Sequence, residues 1–212
     1  MTPPTGPSEP HEEPLAEPHL HHSHAGGGSR GPLADASVRL ARESDAPAVG
    51  LVQAAVWQEA YAGVLGPEVL AAFQPPEFAR VWRESLAQPP AGVYRLLVAC
   101  AGEQVVGFAA IGPTQDPDAG PATGEVLALG VHPEARRQGH GSRLLNACID
   151  TLRGAGADTV HAWILLEDSS SRLFLEAAGL QPDGAFRDRV VAPEGGTARE
   201  VRLRAHLGPA TA

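Results

Sequence analysis

A short turn rich in arginine and glycine, residues 136–142, holds the side chains most suited to chemistry. Its sequence is Arg136-Arg137-Gln138-Gly139-His140-Gly141-Ser142, and the apolar positions of a helix follow it. Backbone N–H groups at the start of a helix are unpaired and carry partial positive charge, and glycine lets the chain approach an anion closely. Because the arginines add further positive charge, the turn predicts a pyrophosphate-binding site.

Three kinds of phosphate-binding turn have a related composition. A P-loop requires lysine followed by serine or threonine, and this chain contains no lysine. The dinucleotide-binding fingerprint requires a third glycine where Leu144 stands. The third kind is the acetyl-CoA turn of the GNAT superfamily, with a basic residue or glutamine, two residues, glycine, one residue, and glycine or alanine. The segment from Arg136 to Gly141 resembles that pattern.

Three further segments resemble the same superfamily. Residues 131–133 (Val-His-Pro) lead into the turn, residues 174–180 resemble a later aromatic segment, and residues 57–63 resemble the first helical region. The resemblance extends from about Val38 to Leu207. It implies an N-acetyltransferase that uses acetyl-CoA as its cosubstrate and requires no metal. It further implies transfer of the acetyl group to a primary amine by direct attack in a ternary complex.

The resemblance also implies roles for individual residues. The pantetheine arm would lie between strands 125–131 and 159–166, and the backbone N–H of Leu129 would stabilise the oxyanion, near a strand bulge at Gly130. Glu125 is the candidate base, with a solvent-exposed carboxylate at the strand edge as the alternative, and Tyr61 borders the acceptor site. The implied cofactor-binding residues are Leu129, Gly130, Val131, Arg136, Arg137, Gln138, Gly139, His140, Gly141 and Ser142.

Two positions depart from the family pattern. Leu175 occupies the place of a tyrosine that many members carry, and Asp168 replaces a usual asparagine. A water molecule, Ser169, Ser171 or Tyr61 is left as the source of a proton, unless CoA leaves as the thiolate. A second hypothesis is therefore a catalytically weak or inactive CoA-binding regulatory protein. The acceptor stays open between a small-molecule amine and a peptide or protein amine, and a homodimer stays open as well.

The hydrophobic pattern predicts a mixed α/β domain over residues 37–208. A strand, helices, a hairpin (94–111), a strand (125–131), a helix, a strand (159–166), a short helix and a hairpin follow one another. The helix between residues 131 and 159 forms a crossover, which joins parallel strands. We therefore expect one central mixed sheet flanked by helices, and the resemblance implies that the parallel pair is splayed. The segment 112–124, rich in Pro, Gly and Asp, predicts a mobile loop.

Composition limits the partners and the location of the protein. Residues 1–36 are rich in His, Pro and Gly with few apolar residues, which predicts a disordered tail. The net charge of -9 argues against general binding to nucleic acid or anionic membranes. Cys100 and Cys148 provide no disulfide framework, and the N-terminal residues do not resemble a secretory signal. We therefore expect a cytoplasmic location.

Overall fold

A computed structural model describes residues 36–191 and 196–208, so all but one residue of the predicted tail (1–36) lies outside the described part of the chain. Within these ranges the chain forms seven strands and five α-helices, in the order β1 (Ala36–Leu40), α1 (Ala46–Ala60), α2 (Pro67–Ala71), α3 (Pro75–Ala87), β2 (Arg95–Ala101), β3 (Gln104–Pro113), β4 (Thr123–Val131), α4 (His140–Gly154), β5 (Thr159–Leu165), α5 (Ser169–Ala177), β6 (Gln181–Val190) and β7 (Thr197–His206). None of these helices is both long enough and apolar enough to cross a membrane.

The strands form one sheet in the order β1-β2-β3-β4-β5-β7-β6. All neighbours in the sheet are antiparallel except β4 and β5, which are parallel, as the crossover through α4 predicts. The parallel pairing is short, because it begins at Thr123 opposite Thr159 and ends at Val126 opposite Ala162. The predicted mixed sheet is therefore confirmed, and the last residues of β4 and β5 run without pairing to each other.

Helices cover both faces of the sheet, because each carries an apolar stripe. On α4 the buried residues Leu144, Leu145, Cys148 and Leu152 recur at helical spacing and pack with Val126 of β4 in one core cluster. On the opposite face α1 contributes Val49 and Val52 to a second cluster around Phe108. We refer below to the α4 face and the α1 face of the sheet.

The centre of the loop between β3 and β4 is held by a buried arginine. The Arg202 guanidinium donates hydrogen bonds to Asp116 at 3.0 Å, to Asp118 at 2.6 and 2.7 Å, and to Asp183 at 2.9 Å. His161 and Trp163 also contact the same Asp116 oxygen, at 2.9 and 3.2 Å. The loop predicted to be mobile is thus tied to β5 and β7 at its middle.

Candidate active site

A gap opens in the sheet where β4 and β5 stop pairing, directly after Val126 and Ala162. The residue after Val126 is the extra residue of a β-bulge, because Val126 pairs with Ile111 while Ala128 pairs with Ala110. A bulge bends its strand and increases its twist. The bulge at Leu127 therefore lies at the point where β4 turns away from β5.

The prediction that the bulge lies at Gly130 is wrong. Gly130 pairs regularly with Phe108. The reason for a glycine at this position is close packing, since a Cβ atom there would meet the Phe108 ring at 3.0 Å and Val56 at 3.3 Å. Gly130 allows α1 to approach the sheet, and the strand bends three residues earlier in the sequence.

The backbone groups of Leu129 and Val131 face the gap. The His132 N–H donates to the Val106 carbonyl oxygen of β3 at 2.9 Å, which fixes the direction of alternate residues along β4. Because hydrogen-bonding groups alternate between the two edges of a strand, Gly130 also faces β3, whereas Leu129 and Val131 face the opposite edge. This edge carries no paired strand beyond Val126, so it can bind an extended arm of a ligand.

The turn before α4 exposes the start of that helix. Gly139 is the N-cap residue with φ +81°, and no side chain in the described part of the chain caps the helix. Arg137 also has a positive φ, at 63°. Gly141 leaves space, since a Cβ atom there would lie no closer than 3.5 Å to the Phe174 ring. The uncapped N–H groups and the glycines match the requirements of a phosphate, so these residues fit a CoA pyrophosphate.

The two arginines of the turn differ in their contacts. Arg136 forms a bidentate ion pair with Glu59 of α1, with both N–O distances at 2.8 Å, and its Nε donates to the Val131 carbonyl oxygen at 3.2 Å. Arg137 is exposed. The positive charge that the turn offers to a ligand therefore comes from Arg137 and the backbone, because Arg136 is paired with Glu59 of α1.

The remaining residues of the turn contribute through their backbone or lie at the surface. His140 is buried with 2% exposure, and its Nδ1 has no hydrogen-bond partner among residues 36–191 and 196–208. Burial, and after it the nearby Arg143 charge, lowers its pKa. A neutral, buried imidazole cannot add charge to an anion site. Gln138 and Ser142 are exposed, and the Gln138 carbonyl oxygen accepts a hydrogen bond from Arg143 at 3.1 Å.

Glu125 lies one residue before the end of the parallel pairing, opposite His161. Its neighbour Val126 packs in the α4 core, so Glu125 lies on the α1 face. Its exposure is only 6%, and burial raises its pKa above the ordinary value, while a hydrogen bond from Thr114 Oγ1 at 2.7 Å partly offsets that effect. The alternative of a solvent-exposed carboxylate is therefore wrong. Thr114 is a partner that no local sequence pattern indicated.

Tyr61 follows the last residue of α1 and belongs to an aromatic cluster. Its ring centroid lies 5.9 Å from that of Trp57 and 6.0 Å from that of Phe73. Burial raises its pKa, and the charges of Glu200, Arg189 and Arg187 also act on it. Tyr61 therefore packs among the aromatic rings of the first helical region, two residues after Glu59, the partner of Arg136.

Helix α5 supplies no phenol at the position occupied by Leu175. The Leu175 side chain has 5% exposure and packs in the core with α4. Asp168 caps α5, accepting a hydrogen bond from the Ser171 N–H at 2.9 Å. Among residues 36–191 and 196–208, no three His, Cys, Asp or Glu side chains are arranged to hold a metal ion.

The sequence pattern of the acetyltransferase (GNAT) family matches residues 42–180. The chain belongs to this family. The matched segment runs from the residue before the first 3-10 turn to the residue after Gly179, so it includes the gap, the turn and Leu175. The predictions of the superfamily, of the N-acetyltransferase class and of the fold are thereby confirmed.

Solved structures resemble this GNAT chain in fold. The PaiA N-acetyltransferase of Thermoplasma acidophilum, in complex with coenzyme A, has a TM-score of 0.63 at 16% identity, over 81% of this chain and 98% of that one. The YncA protein of Salmonella typhimurium, solved with its cofactor acetyl-CoA, has a TM-score of 0.59 at 20% identity, over 84% and 96%. At such identities the likeness concerns the fold alone.

A curated relative matches over a shorter stretch. Mycothiol acetyltransferase of Beutenbergia cavernae is 39% identical over 66 residues, which are 31% of this chain and 22% of that protein. The GNAT chain thus spans less than a quarter of the length of that relative.

Proposed function

We propose that the protein transfers an acetyl group from acetyl-CoA to a primary amine, by direct attack of the amine within a ternary complex. The observation that carries this proposal is the unpaired edge of β4 after Val126, together with the uncapped start of α4 at the same end of that strand. The unpaired edge of β4 binds an extended arm and the start of α4 binds phosphate. Acetyl-CoA requires this combination.

On the donor side, the backbone does most of the binding. The N–H groups from Gly139 to Ser142 hold the pyrophosphate, and exposed Arg137 adds charge. The Leu129 carbonyl oxygen and the Val131 N–H hold the pantetheine arm as a neighbouring strand would. The Leu129 N–H then stabilises the negative charge that develops on the thioester oxygen during attack, which is where a fixed dipole accelerates acyl transfer most.

On the acceptor side, Glu125 removes the proton that prevents an amine from attacking. A base works best when its pKa is near the working pH, and burial moves the pKa of Glu125 in that direction. Glu125 acts directly or through a water molecule. Tyr61 is our candidate for returning a proton to the CoA thiolate, because its phenol carries a proton at neutral pH; burial raises its pKa, which keeps the phenol protonated before the reaction and also weakens it as an acid.

The proposal includes more than one class of amine acceptor. A similar fold occurs in the ribosomal-protein-S18-alanine N-acetyltransferase of Escherichia coli, at 16% identity and a TM-score of 0.57. The relative from Beutenbergia cavernae is named for mycothiol. Peptide or protein amines and small-molecule amines are therefore both included, and we propose that the enzyme acts in the cytoplasm without a metal.

A second candidate is a CoA-binding regulatory protein with little or no turnover. It is favoured by the burial of Leu175, which leaves α5 without the phenol of many relatives. It predicts tight binding of CoA and no release of CoA thiol with any amine. An enzyme releases the thiol with at least one acceptor.

Calorimetric titration with acetyl-CoA, followed by thiol release over an amine panel, tests the proposal. Cys100 and Cys148 are buried, and burial raises the pKa of Cys148 to about 12, so a thiol reagent reports released CoA. Gly139→Trp should abolish binding in a protein with unchanged far-UV circular dichroism. Absence of wild-type binding would exclude both candidates, and binding without thiol release would favour the regulator.

A further inference from the structure

Two arginines on β6 share one buried carboxylate. Arg187 Nε donates to Glu200 Oε2 at 2.6 Å, and Arg189 Nε lies 3.3 Å from Glu200 Oε1. Residues two apart on a strand share a face, so both guanidinium groups lie on one side of the hairpin. One carboxylate is shared by two cations, and the trio carries one net positive charge.

The arginine pair lies beside the gap. The Arg187 guanidinium carbon is 4.3 Å from the centroid of the Trp163 ring. Trp163 directly follows Ala162, the last β5 residue that pairs with β4, and it lies on the same face as His161, the partner of Glu125. Arg187 therefore covers β5 on the α1 face at the mouth of the gap.

The proposed base lies on the same face of the sheet, because Glu125 is paired with His161, two residues before Trp163. The charges of Arg187 and Arg189 both act on Tyr61, and that of Arg187 also acts on Glu125. We call these five side chains, Glu125, Trp163, Arg187, Arg189 and Tyr61, the acceptor wall. It presents a carboxylate for an amine and an excess cation on the same face of the sheet.

The two arginines differ in how firmly they are held. Arg187 is fixed by its short contact with Glu200 and by stacking on Trp163, and its side chain is 34% exposed. Arg189 makes the longer contact, and its side chain is 51% exposed. Arg189 is therefore the cation more available to a ligand, while Arg187 and Glu200 set its position.

We propose that the acceptor is an amine that also carries an anionic group, a carboxylate or a phosphate, which Arg189 binds with Arg187. The inference rests on the proposed function and narrows its acceptor class. Planar guanidinium groups bind carboxylate and phosphate through paired hydrogen bonds. Arg187, Arg189 and Glu200 together keep one net positive charge at this mouth, in a chain whose net charge is -9.

Matched acceptors test this inference with the full chain and acetyl-CoA. The ω-amino acids from 3-aminopropanoate to 6-aminohexanoate are compared with their carboxamides, and phosphoethanolamine with ethanolamine, at equal concentrations of unprotonated amine. We expect kcat/KM to favour the anionic member of at least one pair by about tenfold or more, the value of a charge-assisted hydrogen bond. Arg189→Gln should reduce that ratio about tenfold, and Arg189→Lys should retain most of it.

Arg199→Gln is the matched control. Arg199 is 48% exposed and pairs with Asp188 on the opposite face of the same hairpin, so its removal should leave the ratio unchanged. Equal kcat/KM values within every pair, or a preference that survives Arg189→Gln, would overturn the inference and leave acetyl transfer in place. Tight acetyl-CoA binding with no transfer to these amines or to any amine of the broader panel would overturn it together with the proposed function.

Discussion

Two glycines of the α4 turn should respond in opposite ways to the same change. Gly139 has φ +81°, and a Cβ atom there would lie 2.7 Å from a guanidinium nitrogen of Arg143. At Gly141 the nearest atoms would be 3.5 Å away, an ordinary contact, within a regular helix. Replacing each glycine by alanine therefore adds the same methyl group at a strained position and at a relaxed one.

The expected size of each effect follows from these environments. A left-handed backbone costs an alanine about 1–2 kcal/mol, whereas the Arg143 end is flexible and can move aside. Gly139→Ala should lower the free energy of unfolding by that amount, and each kcal/mol lowers Tm by about 2–4 °C in a protein of this size. Gly141→Ala should raise the free energy of unfolding by up to about 0.5 kcal/mol, because alanine favours the helical backbone over glycine, although by less in the first turn than in a helix interior.

Acetyl-CoA affinity is a second quantity that should differ between the same two alanine variants. If the turn relieves the strain by changing its backbone, its N–H groups lose their common direction, and acetyl-CoA affinity should fall by about five- to thirtyfold, the equivalent of 1–2 kcal/mol. Gly141→Ala should bind within about twofold of wild type. Scanning calorimetry and titration calorimetry measure both quantities. Equal behaviour of the two variants would refute the argument from the positive φ.

The remaining predictions concern three charged side chains. Glu125→Gln should lower kcat about a hundredfold with unchanged acetyl-CoA affinity. A base acts when deprotonated and burial raises the pKa of Glu125, so wild-type kcat should fall as the pH drops through that raised pKa, a limb absent from the variant's pH–rate profile. Arg202→Met should lower the free energy of urea unfolding by about 3–5 kcal/mol, because it leaves Asp116 and Asp183 without their buried partner. Burial is the largest single effect and raises the pKa of both carboxyl groups, but the hydrogen bonds from Arg202 and their other donors, His161 and Trp163 for Asp116 and the Ala185 N–H for Asp183, together lower it. Wild type should therefore lose this stabilisation as the pH falls below about 4. Glu59→Gln releases the arginine at the start of the turn and should tighten acetyl-CoA binding by about two- to fivefold at low salt, with little effect in high salt.

A different result would contradict each of these three predictions. An unchanged pH profile in Glu125→Gln would assign the base to another group. A loss of stability in Arg202→Met that stays constant down to pH 2 would mean that the carboxylates are not its cause. Weaker acetyl-CoA binding in Glu59→Gln would mean that the ion pair holds the turn in shape.

The elements of the fold were predictable because their signals are local. The apolar spacing of α4, the alternation in the hairpins and the glycines at helix ends each lie within one segment, and the order of segments implies the parallel pair. The turn was predictable for the same reason, since glycine and arginine spacing within six residues suffices.

The features missed from the sequence depend on contacts between distant segments. Glu59 and Arg136 are 77 residues apart, and Asp116 and Arg202 are 86 apart. Nothing in residues 112–124 indicated that a buried arginine would hold the loop. The bulge was placed at Gly130 because glycine suits a bulge, whereas the position of Leu127 depends on pairing with β3, which no single strand reveals.

The extra residue Leu127 matters for the candidate site and not for the topology of the sheet. It is one residue more than β3 needs, since Val126 and Ala128 already lie opposite consecutive residues, Ile111 and Ala110. We expect a chain without it to keep the other pairs of β3 and β4, with less bend in β4 beside the end of its pairing with β5. A single inserted residue therefore shapes the strand edge to which we assign the binding of acetyl-CoA.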